Sequence, residues 1–262
     1  MKLDFIKMHG LGNDYIYFDC LDEKTLNPHE PNLFWLCDRN KGIGGDGIVL
    51  ILPSQIAHGR MQMFNIDGSE GAMCGNAIRC VAEYLYTNVH APEQMKIETF
   101  SGIKHITKAP TGWRVDMGKA GLFPAEPPII INDISYEYTR ICMGNPHAVI
   151  FMDDIDTLDL PAIGPTFEHH PNFAPDRINT EFIKVISRNH LKMRVWERGS
   201  GETQACGTGA CAAVVAAVLN GHCDKGADIT VDLPGGSLVI NYTDEAVFMT
   251  GKATKVFEGT IL

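Results

Sequence analysis

The stretch 197-ERGSGETQACGTGAC-211 sets Cys206 and Gly207 where a glycine-rich loop gives way to an apolar run, Ala210 to Leu219. An earlier stretch, 65-NIDGSEGAMCGNAIRC-80, does the same with Cys74 and Gly75. The two cysteines lie 132 positions apart, and that spacing recurs: Gly12-Asn13 with Gly144-Asn145, Met61 with Met193, Glu70 with Glu202. At an offset of 133, Gly118-Lys119-Ala120 returns as Gly251-Lys252-Ala253. One unit is therefore written twice, which divides the 262 residues into two domains of ordinary size. The first domain reads as residues 1–120, with 252–262 returning to it, and the second as 121–251. The Pro-rich run 123-FPAEPP-128 is the linker candidate.

Hydrophobic residues make up 45% of the chain, enough for two cores. A formal net charge of -10 argues against a nucleic-acid or anionic-membrane partner, because phosphate would be repelled. No window approaches the roughly 18 apolar residues of a membrane span. The opening 1-MKLDFIKMHG-10 lacks the apolar stretch of a secretory signal, so the expected location is the cytoplasm. There, the 8 cysteines are expected as thiols. None is spaced C-x2-C, so no metal site is expected.

Each half reads as several short strands and one buried helix, a mixed α/β plan. In the first half, strands are expected on either side of the turn His9 to Asp14, then at Ile48–Ile51 and Arg60–Ile66. Residues 28–40, after Pro28 and Pro31, suggest a short helix, and the four glycines among residues 42–47 a loop at positive φ. After Cys74, Ile78, Val81, Ala82 and Leu85 fall at i, i+3, i+4 and i+7, which marks a core-facing helix. Short strands are expected around 96–99, 105–107 and 113–117. The second half repeats the order, with a helix near Pro161–His169 and an apolar helix ending at Gly221. Lys255-Val256-Phe257 is expected to pair with Leu3–Ile6 and tie the halves together.

A Cys-Gly at a helix start puts a thiol beside unpaired N–H groups and the positive end of the helix dipole. Such a place binds a carboxylate and makes a thiol easier to ionise. Two equivalent thiols suit a reaction in which one removes a proton from a carbon and the other donates one to its opposite face, inverting the centre. The helix N-termini can stabilise the charge that develops. Cys20, Cys37, Cys80, Cys142, Cys211 and Cys223 read instead as packing residues. Asn13, Asn65, Asn145 and Asn179 sit at strand–loop junctions, where they serve either as turn residues or as ligand contacts. Glu197-Arg198 stands where the first half has Asn65-Ile66, and the adjacent anion and cation suit an ammonium and a carboxylate. His147 follows Asn145-Pro146 and either tunes a thiol or caps a turn.

Four blocks, 8-MHGLGNDY-15, 64-FNIDGSEGAMCGNAIRC-80, 143-MGNPH-147 and 197-ERGSGETQACGTGAC-211, together resemble diaminopimelate epimerase, a cofactor-independent amino-acid epimerase of lysine and peptidoglycan precursor synthesis. The resemblance spans nearly the whole chain in order. It implies two pseudo-symmetric α/β domains, each a β-barrel-like sheet around a central helix, with the site in a cleft. It implies Cys74 and Cys206 as the acid/base pair, and the backbone at Gly75-Asn76 and Gly207-Thr208 as the holder of the reacting centre's carboxylate. Asn13, Asn65, Asn145, Asn179, Glu197 and Arg198 would bind the rest of the substrate, Arg198 its distal carboxylate. His147 and Glu197 would modulate the thiols. Some members contact substrate through a glutamine where this chain has Gly47. The expected partner is a small amino-acid substrate, with no cofactor, no metal, and a homodimer as the family's common assembly.

Three other readings stay open on the residues alone. They are a racemase of the same fold acting on an amino acid such as histidine or hydroxyproline, a non-catalytic amino-acid binder, and a structural protein with buried cysteines.

Overall fold

Strands β1 (Leu3–Gly10) and β2 (Asn13–Asp19) are joined by a two-residue turn. Leu11 and Gly12 both have positive φ, 58° and 83°, the backbone that a tight hairpin needs. The computed structural model describes residues 2–22, 26–29 and 32–262. Pro31, one of the residues expected to open a helix, lies outside them. The chain divides into one unit of Met1–Asp116 with Thr250–Leu262 and a second of Met117–Met249.

In the first unit the strands continue as β3 (Gly47–Leu52), β4 (Arg60–Asn65), β5 (Glu70–Gly71), β6 (Gln94–Thr99), β7 (Gly102–Ala109) and β8 (Gly112–Asp116). β1 and β2 are antiparallel, β2 and β3 parallel, β3 and β4 antiparallel, β4 and β6 parallel, and β6 and β7 antiparallel. Helix α1 (Gly75–Asn88) packs on β1 and β2 near one end of this series and on β6 and β8 near the other, so the sheet wraps the helix. Ile78, Val81, Ala82 and Leu85 are fully buried, as their spacing predicts. Each of the three larger ones contributes about 1.5–3 kcal/mol of burial free energy. Arg79 is just as buried.

The second unit repeats this plan. It holds β9 (Gly121–Leu122), β10 (Ile129–Ile131), β11 (Ile134–Tyr136), β12 (Thr139–Cys142), β13 (Pro146–Phe151), β14 (Asn179–Ser187), β15 (His190–Glu197), β16 (Gly201–Glu202), β17 (Asp228–Leu233) and β18 (Gly236–Tyr242). β12/β13 is antiparallel, β13/β14 parallel, β14/β15 antiparallel, β15/β17 parallel and β17/β18 antiparallel, the same sequence of directions. The small strands match in register: Phe64 faces Glu70 and Trp196 faces Glu202. Helix α3 (Gly207–Leu219) is apolar on all sides and surrounded by β12–β15, β17 and β18. A helix without a polar face is stable only in such a place. The mixed α/β class and the duplicated two-domain plan expected from the sequence are thus what the chain adopts.

A second core lies away from α3 in this unit. There α2 (Leu160–Glu168), capped by the Asp159 carboxylate, covers Ile150, Ile178 and Phe182 with Leu160 and Phe167. In the first unit the corresponding layer is only a 3-10 turn, Phe34–Cys37, over Ile16, Ile48 and Leu50. The helix expected within 28–40 is limited to that turn, because the Asp38 carboxylate accepts the N–H groups of Asn40 and Lys41 and redirects the chain.

Three further expectations are corrected. The final strand, β20 (Thr254–Ile261, after β19 at Val247–Gly251), does pair with β1, with Lys7 opposite Phe257. Both strands belong to the first unit, so the pairing completes that unit rather than tying the halves together. Of the four glycines in 42–47, only Gly44 has positive φ, at 80°. At Gly47 the reason is space, since a Cβ would lie 2.1 Å from the carbonyl oxygen of Phe64. The Pro-rich run 123–128, expected as the linker, lies inside the second unit between β9 and β10, and the chain passes between units at Asp116–Met117 instead. Among the described residues no helix is long and apolar enough to cross a membrane.

Candidate active site

Cys74 is the last extended residue before α1, with φ -133° and ψ 121°. Its thiol donates to the side-chain oxygen of Asn13, at 3.4 Å. That oxygen also accepts from the Asn76 amide at 3.2 Å. The Asn13 amide is held from behind by Asp46, whose Oδ2 accepts from Asn13 Nδ2 at 2.8 Å and from the Asp14 N–H at 3.1 Å. A carboxylate only accepts, so Asp46 fixes the amide with its carbonyl toward the sulfur. Arg39 in turn spans Asp14 and Asp46, at 2.7 and 2.9 Å. Buried Arg79 donates to the Asn76 side-chain Oδ1 at 2.8 Å and to the backbone carbonyl of Gly75 at 3.0 Å, placing a guanidinium inside the helix's first turns. Tyr15 stands 132 positions before His147. Burial first, then Cys74, pushes its hydroxyl well above the ordinary tyrosine range.

Cys206 is extended in the same way before α3, with φ -113° and ψ 106°. Its sulfur accepts from the Gly209 N–H at 3.3 Å and lies 3.6 Å from the Thr208 hydroxyl. Thr208 accepts from Asn145 Nδ2 at 3.4 Å, and Asn145 Oδ1 is 3.0 Å from His147 Nε2. The other ring nitrogen of His147 lies 2.7 Å from Glu181 Oε1, both side chains being wholly buried. Glu181 Oε2 has no partner among the described residues. A chain of contacts therefore runs Glu181, His147, Asn145, Thr208, Cys206.

Burial chiefly, and then the carboxylates of Glu197 and Glu181, push the Cys206 thiol well above its ordinary range. Glu197 is itself raised by burial and by Glu181, with a hydrogen bond from the Thr203 hydroxyl opposing them. These surroundings disfavour the Cys206 thiolate. Glu197→Gln removes one of the charges that oppose ionisation, so Cys206 is expected to ionise at lower pH. Alkylation of the Cys206 peptide, followed by mass spectrometry across a pH series, reads the midpoint. A midpoint that stays put or rises would contradict the role given to Glu197.

Asn179 opens β14. Its amide donates to Pro146 O at 2.8 Å and accepts from the Arg198 N–H at 3.0 Å, so it links the His147 loop to the Arg198 turn. Arg198 is exposed, and its guanidinium donates to the backbone carbonyl of Asp176 at 2.7 Å. Among the described residues no carboxylate pairs with it. Asn65 ends β4 opposite Gly47, exposed, with its amide donating to Ser69 Oγ at 2.9 Å. At Gly47 the close Phe64 carbonyl leaves no room for a side chain.

Within each unit, then, most of the residues expected from the sequence come together: Asn13, Cys74, Gly75 and Asn76 in the first, and Asn145, His147, Glu197, Cys206, Gly207 and Thr208 in the second. Asn179 and Arg198 form a neighbouring pair, and Asn65 stands apart from the Asn13 cluster. Asp46, Tyr15, Thr203 and Glu181 were missed. Glu181 did leave a signal, because a carboxylate inside the strand 179-NTEFI-183 has to find a partner if that strand is buried.

The two-unit fold is shared with solved structures of low sequence similarity. A PhzF-family phenazine biosynthesis protein of Bacillus anthracis superposes with a TM-score of 0.74 at 16% identity, covering 100% of this chain and 99% of the other. A hydroxyproline epimerase of Agrobacterium vitis gives 0.71 at 14% identity, covering 99% and 92%. This is the duplicated fold with one central helix per unit. Within it, the diaminopimelate epimerase family model matches residues 5–123 and 139–256. A diaminopimelate epimerase of Desulfovibrio desulfuricans is 50% identical, covering 99% of this chain and 98% of the relative. Those of Acetivibrio thermocellus and Methanococcus maripaludis are 48% and 46% identical, with 98–99% of both chains covered. The chain belongs to the diaminopimelate epimerase family and is an isomerase of the epimerase kind.

Proposed function

We propose that the protein interconverts LL- and meso-diaminopimelate by two-base proton transfer between Cys74 and Cys206, without pyridoxal phosphate, metal or nucleotide, in lysine and peptidoglycan precursor synthesis. The observation that carries this reading is the repeated one: each unit ends a loop in an extended cysteine at the start of a buried helix. The first N–H groups of α1 and α3 suit the carboxylate at the reacting carbon. Glu197 suits the adjacent ammonium, whose positive charge would offset the carboxylates that hold Cys206 protonated. Arg198, exposed and without a carboxylate partner among the described residues, suits the distal carboxylate. Asn13, Asn65, Asn76, Asn145, Asn179 and Thr208 complete the substrate contacts, and His147 tunes Cys206. A cytoplasmic homodimer belongs to the same reading.

Incubation with diaminopimelate in deuterium oxide tests it. Deuterium is expected at the α-carbon as the LL and meso forms equilibrate. An α-proton that never exchanges would sink the proposal. Exchange of another amino acid in a panel at a higher kcat/KM would move the substrate to that compound.

A further inference from the structure

Glu168 lies outside the cysteine clusters, at the end of α2, and is only 5% exposed. Its Oε1 accepts from Arg177 Nη1 at 2.8 Å and from the Gly199 N–H at 3.0 Å. Its Oε2 accepts from Trp196 Nε1 at 2.8 Å. Burying a carboxylate costs several kcal/mol unless charge-assisted bonds offset it, and apolar packing would avoid that cost. All three donors flank Arg198. Trp196 and Gly199 lie on either side of it in the chain, and Arg177 follows Asp176, whose carbonyl holds the Arg198 guanidinium.

The helix carrying Glu168 is pressed onto this turn. At Gly164 a Cβ would lie 2.2 Å from the Trp196 ring, so α2 sits as close to Trp196 as backbone allows. Asn179 takes the N–H of Arg198 itself. The position 132 residues before Glu168 is Leu36, a buried apolar residue, so the first unit has no carboxylate at the equivalent position.

We propose that Glu168 is a positioning residue for Arg198. It holds the Gly199 backbone after Arg198 and the Trp196 indole before it and, through Arg177, the segment whose Asp176 carbonyl aims the guanidinium. It thereby sets the preference for a substrate with a second, distal carboxylate without touching the substrate. This rests on the reading of Arg198 as the distal-carboxylate contact.

The test compares full-length Glu168→Gln, Arg177→Met and Arg198→Ala with the parent, on diaminopimelate and on 2-aminoheptanoate, an α-amino acid without the distal carboxylate. Circular dichroism accompanies each. Glu168→Gln is expected to raise KM for diaminopimelate about tenfold, the order of one charge-assisted hydrogen bond, with kcat within about twofold. Deuterium exchange into 2-aminoheptanoate should be unchanged, so discrimination falls by the same factor. Arg177→Met changes an exposed side chain, so it keeps the test intact if Glu168→Gln does not fold, and it should raise KM in the same direction. If Arg198→Ala raises KM while the other two variants leave it unchanged, the positioning role is overturned and the Arg198 reading stands. Equal loss of kcat on both substrates in Glu168→Gln also overturns it, as a structural effect. If Arg198→Ala changes neither KM nor discrimination, the Arg198 reading itself fails.

Discussion

Cys206→Ala is expected to lower epimerisation of diaminopimelate by about 10²–10⁴-fold, the contribution of a positioned acid or base, and Cys74→Ala by a similar factor. Stability should hardly change. The Cys206 sulfur accepts from the Gly209 N–H and touches the Thr208 hydroxyl, contacts worth about 1 kcal/mol each at most, and the helix behind it is anchored by its apolar side chains. At Cys74 the thiol donation to Asn13 is lost. Far-ultraviolet circular dichroism and a urea titration should therefore overlay those of the parent, while coupled assays in both directions lose rate. Parent-level activity in either variant would remove that cysteine from the chemistry.

Gly209→Ala is expected to cost about 100-fold in kcat, the scale of an ångström-sized misplacement at a reacting group. By helix propensity alone the change gains up to about 1 kcal/mol. Packing decides otherwise. The new Cβ would lie 2.6 Å from Glu181 Oε1 and 3.1 Å from the Cys206 sulfur. Glu181 is fully buried and engaged with His147 at 2.7 Å, so relieving the clash disturbs that pair, and the Cys206 sulfur has to give as well. Overpacking of this kind costs about 1–3 kcal/mol, which outweighs the propensity gain. A urea titration together with kcat checks both. A variant that is more stable and fully active would show that the Glu181–Cys206 spacing is looser than the structure has it.

The buried face of α1 was legible because Ile78, Val81, Ala82 and Leu85 repeat at a helical period, and α3 because Ala210 to Leu219 has no polar side. Both are local patterns. The region 28–40 misled for the same reason: Leu33, Leu36 and Cys37 do lie in one buried cluster, but over a single 3-10 turn. The glycines of 42–47 marked a loop correctly, but the cause at Gly47 is the backbone of Phe64, on a neighbouring strand.

The sequence alone determined that one unit is written twice, that each copy presents a cysteine at the start of a buried helix, and which family the four blocks resemble. These follow from residue types at fixed spacing, which need no partner to be read. Only the tertiary structure decided what surrounds the thiols. Asp46 holds Asn13 from 33 residues away, Glu181 meets His147 from 34, and Glu168 reaches Gly199 from 31. Desolvation and hydrogen bonding depend on which groups the strand register brings within about 3 Å. That register is set by pairing across the sheet. The two cysteine loops therefore read alike in sequence, while Cys74 is met by Asn13, which Asn76 holds with the Arg79 guanidinium behind it, and Cys206 by the charge of two carboxylates.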